Sequence, residues 1–299
     1  MLVIGSRGSQ LALWQANWVC GQLEVIGRPC RIEIIRTTGD RITDAPLAKV
    51  GTKGLFTKEI EEALLAGRID LAVHSLKDLP TQLPAGLCLA AIPPREDARD
   101  ALVGRRFADL AAGARVGTSS LRRVAQLRAA RPDLVIESVR GNLDTRLRKL
   151  GEGQYDALVV AAAGLRRLGW QDRIAEILPE ELMCSAVGQG ALAVETREGD
   201  EAAEVCARLD DAPTRAAVEA ERAVLESLGG GCQVPIGAYG QVSDGQLRML
   251  GVVASPDGRR IVRRETSGPA SDAVRLGHEL ASELLAGGGR EILEEVYGG

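Results

Sequence analysis

Aromatic residues are scarce in this sequence, making up 3% of its 299 positions, so its hydrophobic cores are expected to consist of Leu, Val, Ile and Ala. Long hydrophobic runs are absent too. The longest, residues 157–165, is far shorter than the roughly 20 residues that cross a bilayer. The start of the chain, residues 1–5, reads as a strand and lacks the basic and apolar regions of a signal peptide. These features predict a cytoplasmic protein with no membrane partner.

Cysteine pairs at metal-binding or redox spacing are also missing. No two cysteines form a Cys-x-x-Cys pair, so the sequence predicts no metal site. Scattered cysteines in a chain of this length suit a reducing cytosol. The six are Cys20, Cys30, Cys88, Cys184, Cys206 and Cys232.

Lysine is rare as well, although the chain is rich in arginine. Only five of the 37 basic residues are Lys, and the net charge of −4 gives no reason to expect a nucleic-acid partner. A genome rich in G and C would explain the arginine excess. Binding of carboxylates would explain it equally well, because guanidinium groups match carboxylates in a bidentate fashion. The positions of the arginines must decide between these two explanations.

Strand and helix patterns alternate along most of the chain, which is typical of α/β layering. In the first part, strands at residues 2–4, 31–36 and 69–74 alternate with helices at 9–24 and 57–66. After Pro93-Pro94, strands at 115–117, 135–139 and 157–162 alternate with two more helices, the first capped by Ser119 or Ser120. Gly188-Gln189-Gly190 precedes another strand at 191–195. We interpret Pro94 and Gly188 as marking two crossovers between domains.

The last part of the chain has a different organisation. A helix over residues 213–228 is stopped by Gly229-Gly230-Gly231 and is followed by strands at 238–242, 247–253 and 261–266. A long helix over 271–286 ends the pattern. This region predicts a small α+β unit.

Several arginines fall at strand ends and helix starts, where α/β proteins usually bind ligands. Arg122 and Arg123 occupy the first turn of a predicted helix, whose free N–H groups and dipole already favour anions. Arg140 ends a strand, Arg146 lies on the next helix, and Arg7 follows the first strand. Any one of them could be an ordinary solvated arginine, but the set predicts an anion site.

Two further residues are candidates for a direct part in the chemistry. Asp78, in the run His74-Ser75-Leu76-Lys77-Asp78 after a strand, is placed for proton transfer or for stabilising a cation, although an Asp here could equally cap a turn. Cys232 follows three glycines, so its thiol is expected on an accessible loop, where it can act as a nucleophile. The sequence shows no positioned His for it, but a thiol that serves as an attachment point needs none.

Seven segments together resemble the porphobilinogen deaminase family, in the family's order and over the whole chain. They are Arg7 with residues 9–16, residues 51–56, 73–80, 116–123, Arg140-Gly141-Asn142, residues 186–191 and the loop of Cys232. The resemblance implies an α/β fold with two doubly wound domains, like the halves of periplasmic solute-binding proteins, plus a small α+β C-terminal domain. It places domain 1 at 1–94 plus 190–210, domain 2 at 95–189 and domain 3 at 211–299, with the active cleft between the first two.

The same resemblance implies the chemistry. The family's cofactor is dipyrromethane, held by a thioether to the residue matching Cys232. Four porphobilinogen molecules are added with loss of ammonia, and hydroxymethylbilane is released by hydrolysis. Asp78 matches the catalytic residue, and the family acts as a monomer. Cofactor-binding positions are matched by Ser75, Lys77, Ser119, Arg122, Arg123 and Arg140, and substrate-binding positions by Arg7, Ser9, Lys53, Arg146, Arg167 and Gln189.

One departure from the family lies just before Ala186. Met183-Cys184-Ser185 stands where Leu-Pro is common, which leaves cofactor attachment at Cys184 as a minor alternative. Two other interpretations compete with the resemblance. A cytosolic anion-binding or effector-sensing protein suits an arginine-lined α/β fold but gives the third domain no role, and a cysteine-nucleophile transferase lacks a positioned base.

Overall fold

The computed structural model describes residues 1–41, 55–230 and 234–297. Its backbone divides into two compact units. The first comprises residues 1–96 and 191–215, and the second comprises residues 97–190 and 216–299. Two of the points at which the chain passes from one unit to the other lie beside Pro94 and Gly188. The second unit contains two separate sheets. The three-domain division with its boundaries stays a prediction.

The first unit is built on a mixed five-stranded sheet. Its strands are β1 (Leu2–Ser6), β2 (Cys30–Ile34), β3 (Leu71–Ser75), β4 (Leu87–Ala91) and β10 (Leu192–Arg197). Their order in the sheet is β2-β1-β3-β10-β4. Strands β1, β2 and β3 run parallel, whereas β10 pairs antiparallel with both β3 and β4. The helices are α1 (Gln10–Val25), α2 (Thr38–Arg41), α3 (Lys58–Leu65) and α7 (Glu201–Cys206).

This sheet is buried on both faces, and its central strand β3 is buried at four of its five positions. Leu71 and Val73 of β3 pack on one face, in a core that includes Val19 of α1. Ala72 points to the opposite face and packs in a second core with Ile60 of α3. Two cores on alternate residues of one strand are what a doubly wound layer requires.

The second unit repeats this plan in a sheet with the order β7-β6-β8-β5-β9. Leu102 and Val159 face one core, and Ala101 and Leu158 face the other. The strands are β5 (Asp100–Val103), β6 (Arg115–Gly117), β7 (Val135–Glu137), β8 (Ala157–Ala161) and β9 (Ile174–Ile177). The helices are α4 (Leu121–Ala130), α5 (Leu143–Gly151) and α6 (Ala162–Arg167).

A third, antiparallel sheet of the order β11-β12-β13 completes the second unit. Its core joins Met249 of the middle strand to Val224 and Leu280 on two of the helices. These helices approach closely, because a Cβ at Gly277 would collide with the carbonyl oxygen of Ala220. The elements are β11 (Ile236–Ser243), β12 (Gln246–Ala254), β13 (Ile261–Pro269), α8 (Ala212–Ser227), α9 (Ala273–Leu284) and α10 (Arg290–Tyr297).

These three sheets confirm the predicted fold class. The prediction missed β4, β5 and β9, which are short and contain no alternating pattern of their own. It also extended the last helix to residue 286. The structure ends α9 at Leu284 and turns the chain at Gly288, whose φ of 104° is open chiefly to glycine. Within the described residues, no helix combines the length and apolar character needed to cross a membrane.

Candidate anion-binding site

The first turn of α4 carries two arginines that share one buried carboxylate. Arg122 is 4% exposed, Arg123 is 6% exposed, and Asp100, at the start of β5, is fully buried. The Arg122 guanidinium donates to Asp100 Oδ2 at 2.7 Å. The Arg123 guanidinium donates to Asp100 Oδ1 through two nitrogens, at 2.7 and 3.1 Å. The three side chains therefore form one cluster, with two positive charges and one negative charge.

This charge balance favours binding of a further anion. Burial alone would oppose ionisation of Asp100, but the two guanidinium groups hold the pKa of its carboxyl far below the usual range. Burial also lowers the pKa of Arg123, and the charge of Asp100 acts in the opposite direction. A buried charge without a partner costs several kcal/mol, so a cluster with one excess positive charge is stabilised when a carboxylate binds beside it.

One donor in the cluster has no acceptor. Arg122 Nε is buried and makes no hydrogen bond within the described part of the chain. Arg122 Nη1 donates both to the carbonyl oxygen of Cys184, at 2.6 Å, and to Asp100 Oδ2. Arg122 thus keeps one unused N–H donor near the N-terminus of a ten-residue helix, and both features favour a nearby anion.

Gln189 meets this cluster from the glycine segment Gly188-Gln189-Gly190, and Arg167 at the end of α6 contacts the same segment. The side-chain amide of Gln189 donates to Asp100 Oδ1 at 2.8 Å and to Ala98 O at 2.6 Å, and its oxygen accepts from Arg123 at 3.3 Å. Arg167 donates to Gly190 O at 2.6 Å. Gln189 is 1% exposed, and its side chain holds Asp100 in position through a hydrogen bond. Its contact with substrate stays a prediction.

Ser119, Arg140 and Arg146 lie around the neighbouring turn of the same unit. Ser119 is exposed and donates from Oγ to Val139 O at 2.6 Å. Arg140 is half-buried, and Arg146 donates from Nε to Gly141 O at 2.9 Å, where a φ of 104° is accessible to glycine. The predicted cap of α4 is Ser120 by position, but no side-chain capping bond forms.

The first unit holds the other predicted residues. Ser75 ends β3 and accepts at Oγ from the Gln15 side chain at 2.8 Å. Lys77 and Asp78 follow in a short 3₁₀ turn, where Lys77 is half-buried and Asp78 is exposed. Asp78 is exposed, and no hydrogen bond or ion pair is found for it within residues 1–41, 55–230 and 234–297.

Arg7 and Ser9 lie in the loop between β1 and α1. The guanidinium carbon of Arg7 is 4.1 Å from the centre of the Phe56 ring, a cation–π contact that orients the side chain. Ser9 caps α1 by accepting at Oγ from the Ala12 N–H at 3.3 Å, as its sequence position predicts. Lys53 and Cys232 lie outside the described residues.

The structure thus assembles the predicted residues in two groups. Each group sits within its own unit. The first unit contains Arg7, Ser9, Ser75, Lys77 and Asp78, and the second contains Ser119, Arg122, Arg123, Arg140, Arg146, Arg167 and Gln189.

The sequence analysis missed Asp100, although this carboxylate joins Arg122 to Arg123. The one sequence feature that could have indicated it is its position directly before the apolar run Ala101-Leu102-Val103. A carboxylate beside a buried strand is expected to pair with a cation. A second missed pair is His74 and Glu195, buried in the first unit with Nε2 and Oε2 3.0 Å apart. Neither pair is visible without the three-dimensional neighbourhood.

Cofactor attachment at Cys184 is not supported by the structure. Cys184 is fully buried between α4 and the third sheet, in a core with Ala125, Val252 and Ala254. Burial raises the pKa of its thiol, so the nucleophilic thiolate is strongly disfavoured. The thiol acts as a small apolar side chain there.

By its fold, the chain is a mixed α/β protein with a buried arginine pair suited to an anion. A family model described as "Porphobilinogen deaminase, dipyromethane cofactor binding domain" matches residues 2–205, and one described as "Porphobilinogen deaminase, C-terminal domain" matches residues 215–286. The chain belongs to the porphobilinogen deaminase family and is a transferase.

Curated relatives cover nearly the whole chain. The porphobilinogen deaminases of Pelobacter propionicus and Trichlorobacter lovleyi are 56% and 54% identical to it over 99% of its length, and the matches span 97% and 96% of those proteins. Among solved structures, a periplasmic substrate-binding protein of an ABC transporter from Coxiella burnetii aligns at 14% identity with a TM-score of 0.42. That alignment covers 70% of this chain and 91% of the other.

Proposed function

We propose that this chain joins four porphobilinogen molecules head to tail on a covalent dipyrromethane primer, with release of ammonia, and then hydrolyses off hydroxymethylbilane. This reaction belongs to tetrapyrrole biosynthesis. The observation that carries the proposal is the buried cluster of Arg122, Arg123 and Asp100, with its excess positive charge and its orphaned Nε, in a chain of this family. We further propose that the protein acts as a cytoplasmic monomer with no nucleic-acid or membrane partner.

The residues of the chain fit the cofactor by charge and by chemistry. Each pyrrole ring of dipyrromethane carries two carboxylates, which arginine and lysine side chains neutralise. Cys232 would hold the group through a thioether bond. When bound, the group supplies a nucleophilic pyrrole carbon to which substrate is joined. The side chains proposed to hold its carboxylates and pyrroles are Ser75, Lys77, Ser119, Arg122, Arg123 and Arg140.

Asp78 is proposed to stabilise positive charge on the substrate. Departure of ammonia from the aminomethyl group of porphobilinogen leaves a cation delocalised over the pyrrole ring, and coupling then releases a ring proton. An anionic carboxylate close to the pyrrole N–H stabilises both stages. The exposed position of Asp78 after β3 supports this role, because its carboxylate is free to face a ligand.

The proposed substrate contacts are carboxylate and hydrogen-bond contacts. The Arg7 side chain is oriented by Phe56, and that of Arg146 by Gly141 O, so both are partly preorganised for a ligand carboxylate. Arg167 is held against Gly190 O. The full proposed set is Arg7, Ser9, Lys53, Arg146, Arg167 and Gln189.

The test is to incubate the purified chain with porphobilinogen and to measure ammonia together with loss of the pyrrole colour given by Ehrlich's reagent. We expect one ammonia for each porphobilinogen consumed, and hydroxymethylbilane as the product, which cyclises with loss of water to a colourless porphyrinogen that added iodine oxidises to a porphyrin with a strong visible absorbance. Binding of porphobilinogen without release of ammonia would instead favour a solute-binding protein. Heat-denatured protein is the control.

Replacing Arg122 with histidine is expected to yield mainly apoprotein. The change removes the orphaned Nε donor and one of the two cations on Asp100, so carboxylates of the cofactor lose their partner. Some stability is lost too. Arg123 still pairs with Asp100, so the loss should stay below the roughly 3–5 kcal/mol typical of a broken buried pair.

Intact mass and thermal unfolding measure the two effects separately. Arg128→His is the matched control, because Arg128 is exposed on the same helix and donates to Pro256 O. A fully loaded Arg122→His protein would contradict the role of Arg122 in cofactor binding.

A further inference from the structure

Ser185, one of the residues that depart from the family pattern, has a buried hydroxyl group with two neighbours. The hydroxyl oxygen lies 2.8 Å from Ala98 O and 3.1 and 3.4 Å from the two carboxyl oxygens of Glu180. Ser185 is fully buried, and Glu180 is half-buried. The arrangement links the segment before β5 to the segment before Gly188.

A count of protons constrains the ionisation of Glu180. A hydroxyl group donates one proton, and the carbonyl oxygen of Ala98 can only accept. If Ser185 donates to Ala98 O, its contact with Glu180 is favourable only when Glu180 itself carries a proton and donates to Ser185 Oγ. An ionised Glu180 would compete with Ala98 O for the single proton of Ser185.

The Ala98 carbonyl also supports the arginine cluster. It accepts from Gln189 Nε2 at 2.6 Å, and the same nitrogen donates to Asp100 Oδ1 at 2.8 Å. Ser185 and Gln189 thus both contact the carbonyl oxygen of Ala98. Because Gln189 also donates to Asp100, its position affects the shared partner of Arg122 and Arg123. A shift of Ala98 would be transmitted to the guanidinium groups through three successive hydrogen bonds, from Ala98 to Gln189, from Gln189 to Asp100 and from Asp100 to the arginines.

We propose that Glu180 is a positioning residue that acts in its protonated form, in which Ser185 holds Ala98 and Gln189 in place and Asp100 stays aligned with Arg122 and Arg123. This inference rests on the proposed function, because it assigns a support to the same anion site. No contact between Glu180 and the ligand is involved.

The electrostatic surroundings of Glu180 agree with a retained proton. Burial raises the pKa of its carboxyl to about 7, hydrogen bonds from Ser185 act against the rise, and the charges of Asp100 and Glu221 add to it. Cations are also close. The groups that act on Glu180 from the surrounding elements are Arg99 just before β5, Asp100 at its start, Cys184, Glu221 on α8 and Arg263 on β13.

The sign of the pH effect follows from linkage. A carboxyl group whose pKa is higher in the folded than in the unfolded protein binds more protons when folded, so folding stability falls as pH rises from about 4 to about 7. Ionisation also adds negative charge beside Asp100. We therefore expect porphobilinogen binding to weaken over the upper half of that pH range and just above it.

The experiment compares the wild-type holoenzyme with Glu180→Gln, Glu180→Ala and Glu181→Gln. Glutamine mimics the protonated carboxyl, because its amide N–H₂ can donate to Ser185 Oγ and its oxygen can accept from the Ser185 N–H. Glu181 is an exposed neighbour on the same segment, so Glu181→Gln removes an equal charge without touching Ser185. Thermal midpoints are measured at pH 5 and pH 8, and kcat and KM for porphobilinogen from pH 6 to 8.5.

We expect Glu180→Gln to gain several degrees in thermal midpoint over wild type between pH 5 and pH 8, and Glu181→Gln to gain none. KM should rise severalfold with pH in the wild type and stay level in Glu180→Gln. Glu180→Ala should raise KM severalfold at pH 7 with a smaller change in kcat. An infrared band of a protonated carboxyl, present in wild type at pH 6 and absent from Glu180→Gln, would locate the proton directly.

Two results would overturn the inference. One is a midpoint difference between Glu180→Gln and wild type that is the same at both pH values. The other is a Glu180→Ala enzyme with the kinetics of Glu181→Gln. The proposed function fails separately, since it would be refuted by wild-type protein that releases no ammonia, whatever the Glu180 variants do.

Discussion

Replacing Cys232 with serine is expected to abolish both covalent loading of the cofactor and tetrapyrrole synthesis. A thiolate is the stronger nucleophile and forms a stable thioether, whereas a serine hydroxyl is hardly ionised near neutral pH. Three of the other thiols offer no substitute. Burial raises the pKa of Cys184, and it raises that of Cys30 and of Cys206 to about 12.

Intact mass spectrometry measures this directly. Wild-type protein should exceed its sequence mass by two condensed porphobilinogen units, and Cys232→Ser should show no excess even after incubation with porphobilinogen. Cys184→Ser is the matched control and should keep the full excess. Attachment elsewhere would be shown by a Cys232→Ser protein that still carries the added mass.

Replacing Asp78 with alanine is expected to lower kcat by roughly 10²- to 10⁴-fold while the fold and the cofactor persist. The Asp78 carboxylate is exposed and ends a 3₁₀ turn, so its removal disturbs no packing. What is lost is the negative charge that stabilises the cation formed when ammonia departs. The loss should therefore fall on the chemical steps and leave KM within a few-fold of its wild-type value.

The measurement is single-turnover kinetics alongside intact mass and thermal unfolding. Asp109→Ala is a close control, because Asp109 is also exposed and also ends a 3₁₀ turn, Phe107–Asp109. Near-normal turnover in Asp78→Ala would remove Asp78 from the mechanism. A large loss of thermal stability would assign it to the turn instead.

Local patterns in the sequence predicted much of the fold. Ser9 before an apolar helical period predicted the start of α1, and the structure shows its capping bond. The apolar run at residues 157–162 predicted a buried strand, and in the structure Leu158 and Val159 of β8 face opposite cores. Such features depend on neighbours a few residues away, so a single sequence is enough to reveal them.

The candidate site was predictable in part. The position of Arg122 and Arg123 at a helix start indicated an anion site from the sequence alone, because helix polarity is a local property. Their partner was not predictable. Asp100 lies more than twenty residues earlier and pairs with them only because β5 returns to the sheet beside β8.

The chain's residues by themselves determined its class, its alternation of strands and helices, and the types of side chain available for a polyanionic ligand. Only the tertiary structure decided how those side chains are used. It buried Gln189 as a support for Asp100, withdrew Cys184 into a core, and brought Glu180 to Ser185. The physical reason is that helix and strand preferences act over one or two turns, whereas burial and charge pairing depend on which distant segments the fold brings into contact.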